Sequence, residues 1–452
     1  MMLPAAVGLS AQQAPQPSGL TITQAVEAAL RSYPSVRVSQ EQVNAAAAGI
    51  RLARTAYLPK VDTLAQINRA TRNNVFGLLL PQGVIPSISG PVLGTNNLGS
   101  AWGSAVGALV TWEPFDFGAR KASVAAATAT RTRSEATLKR TQYDVAVASA
   151  DSYVTLVAAQ ETVRAAQAGV DRAQVILETI TALVNAQLRP GADASRAQAE
   201  LAAARTQLIQ AQQAVDVART NVARFVGLDP GLIVPAAPKL LQLPPPQPVA
   251  PLNTGANPLS LEQSAAVGQL QAQLRVLERS YFPRFFLEGS AYARGTGAKV
   301  NGTDLGGVNG LAPTFQNYAL GFTVTFPVMD IASIRAQEAG QAASIRAEAA
   351  RYQQIATDLK AQWNSAVATL QGARNVAANT PIQVTAARAA TDQATARYQS
   401  GLGNIDEVAE AQRLLTQAEI DDALARLGVW RALLGVATAA GDIQPFLAEA
   451  SQ

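Results

Sequence analysis

Residues 317–326, NYALGFTVTF, alternate along their whole length between large apolar side chains and small or polar ones. The apolar positions share one face, and they are Tyr318, Leu320, Phe322, Val324 and Phe326. Because successive side chains of a β-strand point to opposite sides of the sheet, this pattern predicts a strand with one apolar face. A tilted strand of about 9–11 residues is also long enough to cross a bilayer.

Three further segments complete a set of four predicted strands. Residues 102–112 alternate similarly between two terminal tryptophans, whereas the segments that start at Lys60 and Arg284 alternate less cleanly. We place the four strands at about residues 59–72, 101–113, 283–295 and 316–327. An alternating apolar face with aromatic residues at the strand ends is typical of transmembrane β-barrels. Two such strands alone would favour the edge of a soluble sandwich instead.

The composition removes most classes of enzyme. The chain has 452 residues with no His and no Cys, and its 36 Lys and Arg nearly balance 32 Asp and Glu. It therefore has no Cys/His zinc site, no thiol nucleophile and no imidazole base. It also has no cluster of Lys and Arg of the kind that nucleic-acid binding requires. We expect no enzyme activity, no cofactor, no metal and no nucleic-acid partner.

The chain follows one structural plan twice, which indicates two repeats. Each repeat has a helix, two strands, a very long helix, a tight turn and a further helix, and the repeats span residues 20–228 and 259–438. The long helix and its partner are predicted at 118–187 with 192–227, and at 331–400 with 404–438. The remaining segments are a signal-peptide remnant or disordered N-terminus (1–19), a Pro-rich linker (229–258) and a C-terminal tail (439–452).

Prolines mark the junctions between helices and strands in both repeats. Pro59 and Pro283 follow aromatic-X steps at the start of a strand, and Pro114 and Pro327 lie where a strand gives way to a long helix. Proline disfavours helix in the residue before it, so each one ends or delays a helix. We therefore assign these four prolines as the strand–helix junctions.

The predicted long helices carry apolar residues every seven positions, as at Val163, Val170 and Leu177, with alanines interleaved. Asp422 interrupts the heptads of the last helix. This spacing predicts left-handed coiled-coil packing with close approach of the helices. A helix of about 70 residues is about 105 Å long, far more than a globular core requires. We find no apolar run of the 18 or so residues that a transmembrane helix needs.

Four strands per chain leave a sheet with two open edges. Such edges cannot lie in lipid, because their backbone groups would have no hydrogen-bond partners. Two chains would give eight strands, whose interior is filled by side chains. Three chains would give twelve strands, the smallest closed barrel from this unit that is wide enough to conduct. The fold class is therefore α+β in a membrane protein, completed as a trimer.

These repeated junctions, strand pairs and helical turns resemble the outer membrane efflux protein family, the TolC-like channel-tunnels, from Leu20 to about Gly435. The resemblance implies a homotrimer in the outer membrane of a Gram-negative bacterium. A 12-stranded β-barrel would continue as an α-helical barrel in the periplasm. It also implies outer-membrane lipid as surroundings, a periplasmic adaptor (membrane fusion) protein, and an inner-membrane pump of the resistance-nodulation-division (RND) type or an ATP-driven (ABC) transporter. The expected function is the exit duct of a tripartite efflux or type I secretion system.

The helical turns opposite the barrel are the expected gate and adaptor-docking region, with Pro190 and Gly191 in the first and Gly401 and Gly403 in the second. We expect both Gly401 and Gly403 to adopt positive φ. Glu407 and Glu410, three residues apart on one helical face, align with acidic gate positions of the family. They would form two stacked carboxylate rings in a trimer. The alternative is that they only complement the helix dipole.

The resemblance also implies a latch that holds the closed state. Asp193 matches a family latch residue and Tyr398 matches its hydrogen-bonding partner. A further cationic latch position of the family falls on Gly403, so that link is either absent or replaced by Arg397 or Arg189. The alternative for Asp193 is a plain N-cap.

The main alternative function is a soluble periplasmic coiled-coil adaptor or scaffold protein, which would share the helical hairpins. That reading leaves the duplicated strand pairs without a role. A tunnel lined by Gln, Asn, Ser and small residues does not select one exported substrate, and nothing in the residues chooses between the two kinds of pump.

Overall fold

The computed structural model describes residues 19–71, 99–246, 248–299 and 305–451, so the predicted N-terminal segment lies outside the described residues except for Gly19. The elements in chain order are α1 (Ile22–Ser32), α2 (Pro34–Thr55), β1 (Lys60–Thr71), β2 (Ser100–Trp112), α3 (Ala119–Asn185), α4 (Gly191–Val226), α5 (Pro258–Arg279), β3 (Arg284–Thr296), β4 (Phe315–Thr325), α6 (Ile331–Gln399), α7 (Ile405–Ala440) and α8 (Gln444–Ser451). The strands and the helices α3, α4, α6 and α7 begin and end within two residues of the predicted limits. Pro59, Pro114, Pro283 and Pro327 all lie in the short links between helices and strands.

Two helices differ from the prediction. The helix before β1 is split in two, because Tyr33 is extended (φ −69°, ψ 127°) and Pro34 begins α2. A proline is well tolerated in the first turn of a helix but forces the preceding residue out of it. The predicted C-terminal tail contains α8, whose Phe446 and Leu447 are buried in the core, so packing stabilises this short helix.

The chain divides into two compact units, and each unit takes segments from both repeats. One unit consists of residues 44–71, 99–133, 265–299 and 305–348 and contains the sheet. Its four strands run antiparallel in the order β1-β2-β3-β4. Each strand therefore pairs with its neighbour in sequence.

The register of the sheet separates an apolar face from a polar one. Val61 pairs with Val110, Val110 with Gly289, and Gly289 with Leu320, so these positions share a face. The exposed large apolar side chains on that face are Val61, Ile67, Val106, Val110, Trp112, Leu287, Tyr318, Leu320 and Phe322. The opposite face is mostly polar but also carries the exposed Leu64 and Phe315. Its polar residues are Lys60, Asp62, Gln66, Asn68, Thr111, Arg284, Glu288, Asn317 and Thr323. An exposed face with this many large apolar side chains indicates a contact with lipid or protein.

The two outer strands of this sheet, β1 and β4, have no partner on their outer edges among the described residues. In β4 every residue except Val324 is exposed, and Tyr318 keeps 88% of its surface accessible. A long, flat edge strand with apolar side chains is prone to pair with another chain. The sheet of one chain is thus open at both sides.

The second unit consists of residues 19–43, 134–264 and 349–451 as far as they are described. Its largest apolar cluster surrounds the fully buried Trp430, Tyr153 and Leu156. The predicted linker is irregular but packs against this cluster: Leu240 is buried, and Trp430 Nε1 donates to the Gln242 carbonyl at 2.8 Å. The Pro-rich segment is therefore part of the core of this unit.

The heptad positions of α7 form its buried face. The buried members are Val408, Ala411, Leu415, Ala418, Ala425, Val429 and Ala432. By length and mean hydropathy α7 meets a test for a membrane-spanning helix, although Arg426 and Arg431 interrupt its apolar residues, so it contains no apolar run of 18 residues. The core helix of a packed domain meets the same test, and the side chain of Trp430 is fully buried within its unit. We therefore interpret α7 as a core helix.

Candidate functional site at the helical turns

The α3–α4 and α6–α7 turns, which we call the first and second tips, have the same backbone hydrogen bond. Leu188 N donates to Leu183 O at 2.9 Å, and Leu402 N donates to Arg397 O at 2.9 Å. In both tips the residue before this leucine is left-handed, which makes a Schellman turn. That residue is Gln187 (φ 58°) in the first tip and Gly401 (φ 83°) in the second.

We expected positive φ at two glycines, and only Gly401 has it. Gly403 has ordinary φ, so that part of the prediction was wrong. A Cβ on Gly403 would lie 3.2 Å from Tyr398 N and 3.3 Å from Glu407 Oε2, so the constraint at this position is close approach. Gly191 also has ordinary φ, and a Cβ there would meet nothing within 4 Å.

The helices that leave the two tips are capped differently. Asn404 is the N-cap of α7, and its side-chain oxygen accepts from Glu407 N at 2.9 Å. Pro190 is the N-cap of α4 and makes no side-chain cap bond. Asp193 lies in the first turn of α4, so the alternative that it is a plain N-cap is wrong.

The structure brings Asp193 and Tyr398 together across the two tips. Tyr398 Oη donates to Asp193 Oδ2 at 2.8 Å, and only 3% of Tyr398 is exposed. Arg189 supplies the cation: its guanidinium lies 4.3 Å from the centre of the Tyr398 ring and donates to the Tyr398 carbonyl. Of the two arginines considered from the sequence, Arg189 therefore contacts Tyr398. We call Arg189, Asp193 and Tyr398 the tip triad.

The tip triad is anchored on an apolar cluster. Tyr398 packs there with Ile180, Ala197, Ile405 and Val408, which come from α3, α4 and α7. Burial, followed by the bond to the Asp193 carboxylate, raises the pKa of Tyr398 to about 12. Tyr398 is therefore protonated at neutral pH and available as a donor. The triad can therefore hold the two tips together.

The two predicted gate carboxylates are exposed on α7, and each has an arginine close by. Glu407 Oε2 lies 3.6 Å from Arg397 Nε, and Glu410 Oε2 lies 3.6 Å from Arg413 Nη1. Arg413 also binds Glu200 of α4 through two hydrogen bonds of 3.1 and 3.2 Å. The carboxylates are thus partly neutralised, which the sequence pattern did not indicate. Because both pairs are exposed, each contributes little to stability.

Further residues tie the first-repeat helices to the second-repeat helices. Arg196 of α4 lies 3.4 Å from Asp406 of α7, and Arg172 of α3 lies 2.9 Å from Glu419 of α7. Sequence reasoning missed these pairs and the left-handed Gln187. Alignment of the two tips, which places Gln187 on Gly401, was the available signal for Gln187. Within the described residues no group of three or more His, Cys, Asp or Glu could hold a metal ion.

A family model described as outer membrane efflux protein matches residues 25–228 and 256–442. The chain belongs to the outer membrane efflux protein family. Its two matched segments correspond closely to the two repeats, and the segment between them lies within the Pro-rich linker. No curated protein sequence is significantly similar to the chain.

Solved outer-membrane channels have the same fold as this family member. The CmeC outer membrane channel of Campylobacter jejuni is 15% identical (TM-score 0.74) and is matched over 100% of this chain and 97% of its own. For VceC of Vibrio cholerae the identity is 17% and the TM-score 0.70, with 93% and 96% of the two chains covered. A structure of the open state of the Neisseria gonorrhoeae MtrE channel is 18% identical (TM-score 0.70), over 93% of this chain and 89% of that one.

The family and its fold establish the broad function of the chain. It is an outer membrane protein that serves efflux. It shares with solved outer-membrane channels a fold of long helices and a small antiparallel sheet. The α+β fold class predicted from the sequence is confirmed, and so are the family, the location and the efflux function. The soluble-adaptor alternative does not fit this family.

Proposed function

We propose that three copies of the chain close a 12-stranded barrel in the outer membrane, continue it as a periplasmic helical barrel, and gate it at the tips. The open four-stranded sheet carries this proposal. Its apolar face suits lipid and its polar face suits a water-filled interior, but β1 and β4 leave unpaired backbone groups at the edges. Unpaired groups cost several kcal/mol each in lipid (about 2–7 kcal/mol), so pairing of β4 with β1 of the next copy removes a large penalty.

The stoichiometry of the proposed assembly is tested on protein extracted from the membrane in detergent. Native mass spectrometry should give a complex of three chains, and the same preparation should form ion-conducting channels in planar bilayers. A stable monomer that needs neither detergent nor lipid would contradict the proposal. A conducting dimer would contradict the trimer specifically.

The tip triad supports closure at the tips as the resting state. It joins residues of both repeats, and the hydrogen bond to a half-buried carboxylate is directional and charge-assisted. Opening would separate α3–α4 from α6–α7 at this point, so the triad would act as the latch. The Arg196–Asp406 and Arg413–Glu200 pairs lie beside it and would loosen in the same movement.

Glu407 and Glu410 are proposed to make the closed channel prefer cations. Threefold symmetry would repeat both carboxylates around the axis, and rings of acids select cations. Arg397 and Arg413 reduce this effect, because each lies close to one of the two carboxylates. Replacing both glutamates by glutamine should abolish the cation preference measured as a reversal potential in planar bilayers. An unchanged preference would reject this role.

The turns are the proposed docking points for a periplasmic adaptor, which would connect the channel to an RND or ABC pump. Pro190, Gly191, Gly401 and Gly403 shape the turns, and they present the exposed side chains of Leu188 and Leu402 at equivalent positions. Exposed apolar side chains at both tips suit an apolar contact with a partner. Replacing Leu188 and Leu402 by serine should abolish copurification of the adaptor without changing the number of chains in the channel. Retained copurification would remove the tips as the docking site.

A further inference from the structure

The long helix α6 contains a proline in its interior, Pro381. This residue has no N–H to donate to the carbonyl of Ala377, and its ring crowds that carbonyl, so the helix is weakened at this turn. The preceding residue, Thr380, is only 4% exposed. The weak turn of α6 therefore carries a polar side chain into the packed interior of its unit.

Thr380 meets the residue that interrupts the heptads of α7. Thr380 Oγ1 donates to Asp422 Oδ1 at 2.9 Å, and Arg426 Nη2 donates to Asp422 Oδ2 at 2.6 Å. We call Thr380, Asp422 and Arg426 the polar layer. Both irregularities of the α6–α7 pair, the proline and the broken heptad, thus occur at the same level.

The polar layer separates two apolar clusters formed by α6 and α7. On one side the buried members are Leu370, Ala377, Ala425, Val429, Ala432 and Val436. On the side towards the tips they are Ala387, Leu415 and Ala418. The seam between the two helices therefore consists of two apolar blocks with a hydrogen-bonded layer between them.

The polar layer can rearrange more easily than the apolar blocks. Close-packed apolar side chains interlock and resist sliding, whereas a carboxylate can exchange a protein donor for water. Water can reach the layer, since the side chain of Arg426 is 41% exposed. A groove of ≈ 560 Å³ also lies beside the layer, lined in part by Asn379, Gln383 and Asp421.

We propose that Pro381 and the polar layer form a hinge about which the tip-side parts of α6 and α7 swing as one body. The inference rests on the proposed gating, because movement of the tips requires a place where the long helices bend. Residues 382–399 form a lever of about 27 Å at 1.5 Å per residue. A bend of about 20°, the size of a sharp kink, would move the end of α6 by about 9 Å.

A buried polar group at a heptad position can instead serve only to fix the register of two helices. The two roles differ in one respect: a hinge makes the angle across the layer variable, whereas a register device does not. Distances measured along α6 across Pro381 therefore separate them.

The experiment uses pairs of spin labels on α6, which is straightforward because the chain has no cysteine of its own. One pair, at Gln371 and Ala389, spans Pro381; the control pair, at Gln353 and Gln371, spans the same number of residues on one side of it. All of these positions are exposed. Distances are measured by pulsed electron paramagnetic resonance in detergent-extracted protein that is diluted with unlabelled chain.

We expect the distance distribution of the spanning pair to be at least twice as broad as that of the control pair. Pro381→Ala should narrow it to the control width, because alanine restores the missing N–H. Thr380→Val with Asp422→Leu, which replaces the polar layer by an apolar one, should narrow it as well. A spanning pair as narrow as the control, or one unaffected by Pro381→Ala, would overturn the hinge.

Oligomeric state and conductance are measured on the same samples, so the hinge and the proposed function can fail separately. Trimers that conduct but give a narrow spanning pair would contradict the hinge alone. A broad spanning pair in a chain that forms no trimers would leave the hinge standing and contradict the proposed function. If the protein forms conducting trimers and the spanning pair gives a broad distance distribution, Pro381→Ala should lower the mean channel current at least two-fold.

Discussion

The two tips have the same backbone turn but different side-chain chemistry. In the first tip the left-handed residue is Gln187, and the N-cap Pro190 makes no side-chain hydrogen bond. In the second tip the left-handed residue is Gly401, and the N-cap Asn404 makes such a bond. The first tip also carries the charged residues Arg189 and Asp193. The first tip thus supplies both charged members of the tip triad, and the second supplies the tyrosine. The two repeats therefore share the backbone geometry of the turn and differ in the side chains that cap the helix and form the tip triad.

The largest effect is expected from removing the hydrogen bond that joins the tips. Asp193→Ala leaves the Tyr398 hydroxyl buried without its acceptor, which costs about 1–3 kcal/mol. We expect a higher closed-state conductance in planar bilayers and faster hydrogen exchange of the tip amides. Asp216→Ala, which removes an exposed carboxylate further along α4 that pairs with Arg219, is the control and should leave the conductance of the closed channel nearly unchanged. A conductance of Asp193→Ala no higher than wild type would count against the latch.

The same bond should weaken at high pH. The pKa of Tyr398 is raised to about 12 from its usual value near 10, so the folded protein holds the phenol proton more tightly than the unfolded chain does. The stability that the protonated Tyr398 gives to the folded tips is fully present below pH 10 and is lost as the pH rises towards 12. Hydrogen exchange of the tips, corrected for its intrinsic pH dependence, should reveal this loss in wild type and not in Tyr398→Phe. Equal behaviour of the two proteins would contradict it.

Loss of the cation should have a smaller effect than loss of the carboxylate. Arg189→Gln removes the contact with the Tyr398 ring but leaves the bond to Asp193, and we expect the tips to lose about 1–2 kcal/mol. Arg397→Gln is the control, since Arg397 contacts Glu407 instead. If Arg397→Gln accelerated hydrogen exchange of the tip amides and Arg189→Gln did not, Arg397 and not Arg189 would be the cation that stabilises the tips.

The two left-handed residues should respond to substitution with opposite signs. Gly401→Ala forces a side chain into positive φ and should destabilise the second tip by about 1 kcal/mol. Gln187→Gly relieves the same strain and should stabilise the first tip by up to about 1 kcal/mol. Local hydrogen exchange of each tip measures both changes. Changes of equal sign would indicate that the turns are not equivalent.

The smallest difference concerns the caps. Asn404→Ala removes the bond to Glu407 N and should cost about 1 kcal/mol at the second tip. Pro190→Ala removes no cap bond, so we expect a change of less than about 0.5 kcal/mol at the first. Exchange rates of the first-turn amides of α4 and α7 provide the comparison. An equal loss at both tips would contradict the asymmetry.

Features marked by local chemistry were predictable from the sequence. The limits of the strands and long helices follow from prolines and periodicity, and the open sheet follows from the number of strands. The pairing of Asp193 with Tyr398 was expected from the family resemblance alone. The choice between Arg189 and Arg397 was beyond sequence reasoning, because a long flexible side chain can reach several partners.

Features that depend on distant contacts could not be predicted. Asp422 was visible as an interruption of the heptads, but its partner Thr380 lies 42 residues away on another helix. The helix α8 is too short to be stable alone and depends on the burial of Phe446 and Leu447. In each case tertiary packing decided what local preference left open.

The central claim is that the sheet of one chain is completed by two others, and cysteine cross-linking between β1 and β4 tests it most directly. The junction of β4 with β1 of the next copy is equivalent to the pairing of β2 with β3, in which Thr111 pairs with Glu288. Thr325 is the equivalent of Thr111, and Leu64 is the equivalent of Glu288. By analogy Thr325 of one copy should therefore lie near Leu64 of the next, and Thr323 near Gln66. A chain carrying Gln66→Cys with Thr323→Cys, or a neighbouring pair in which the β4 cysteine is at Gly321 or Thr325, should give a covalent ring of three chains on oxidation. Each single-cysteine variant should give no ring. Cross-linked species that stop at two chains, or that do not form for any pair, would contradict the account.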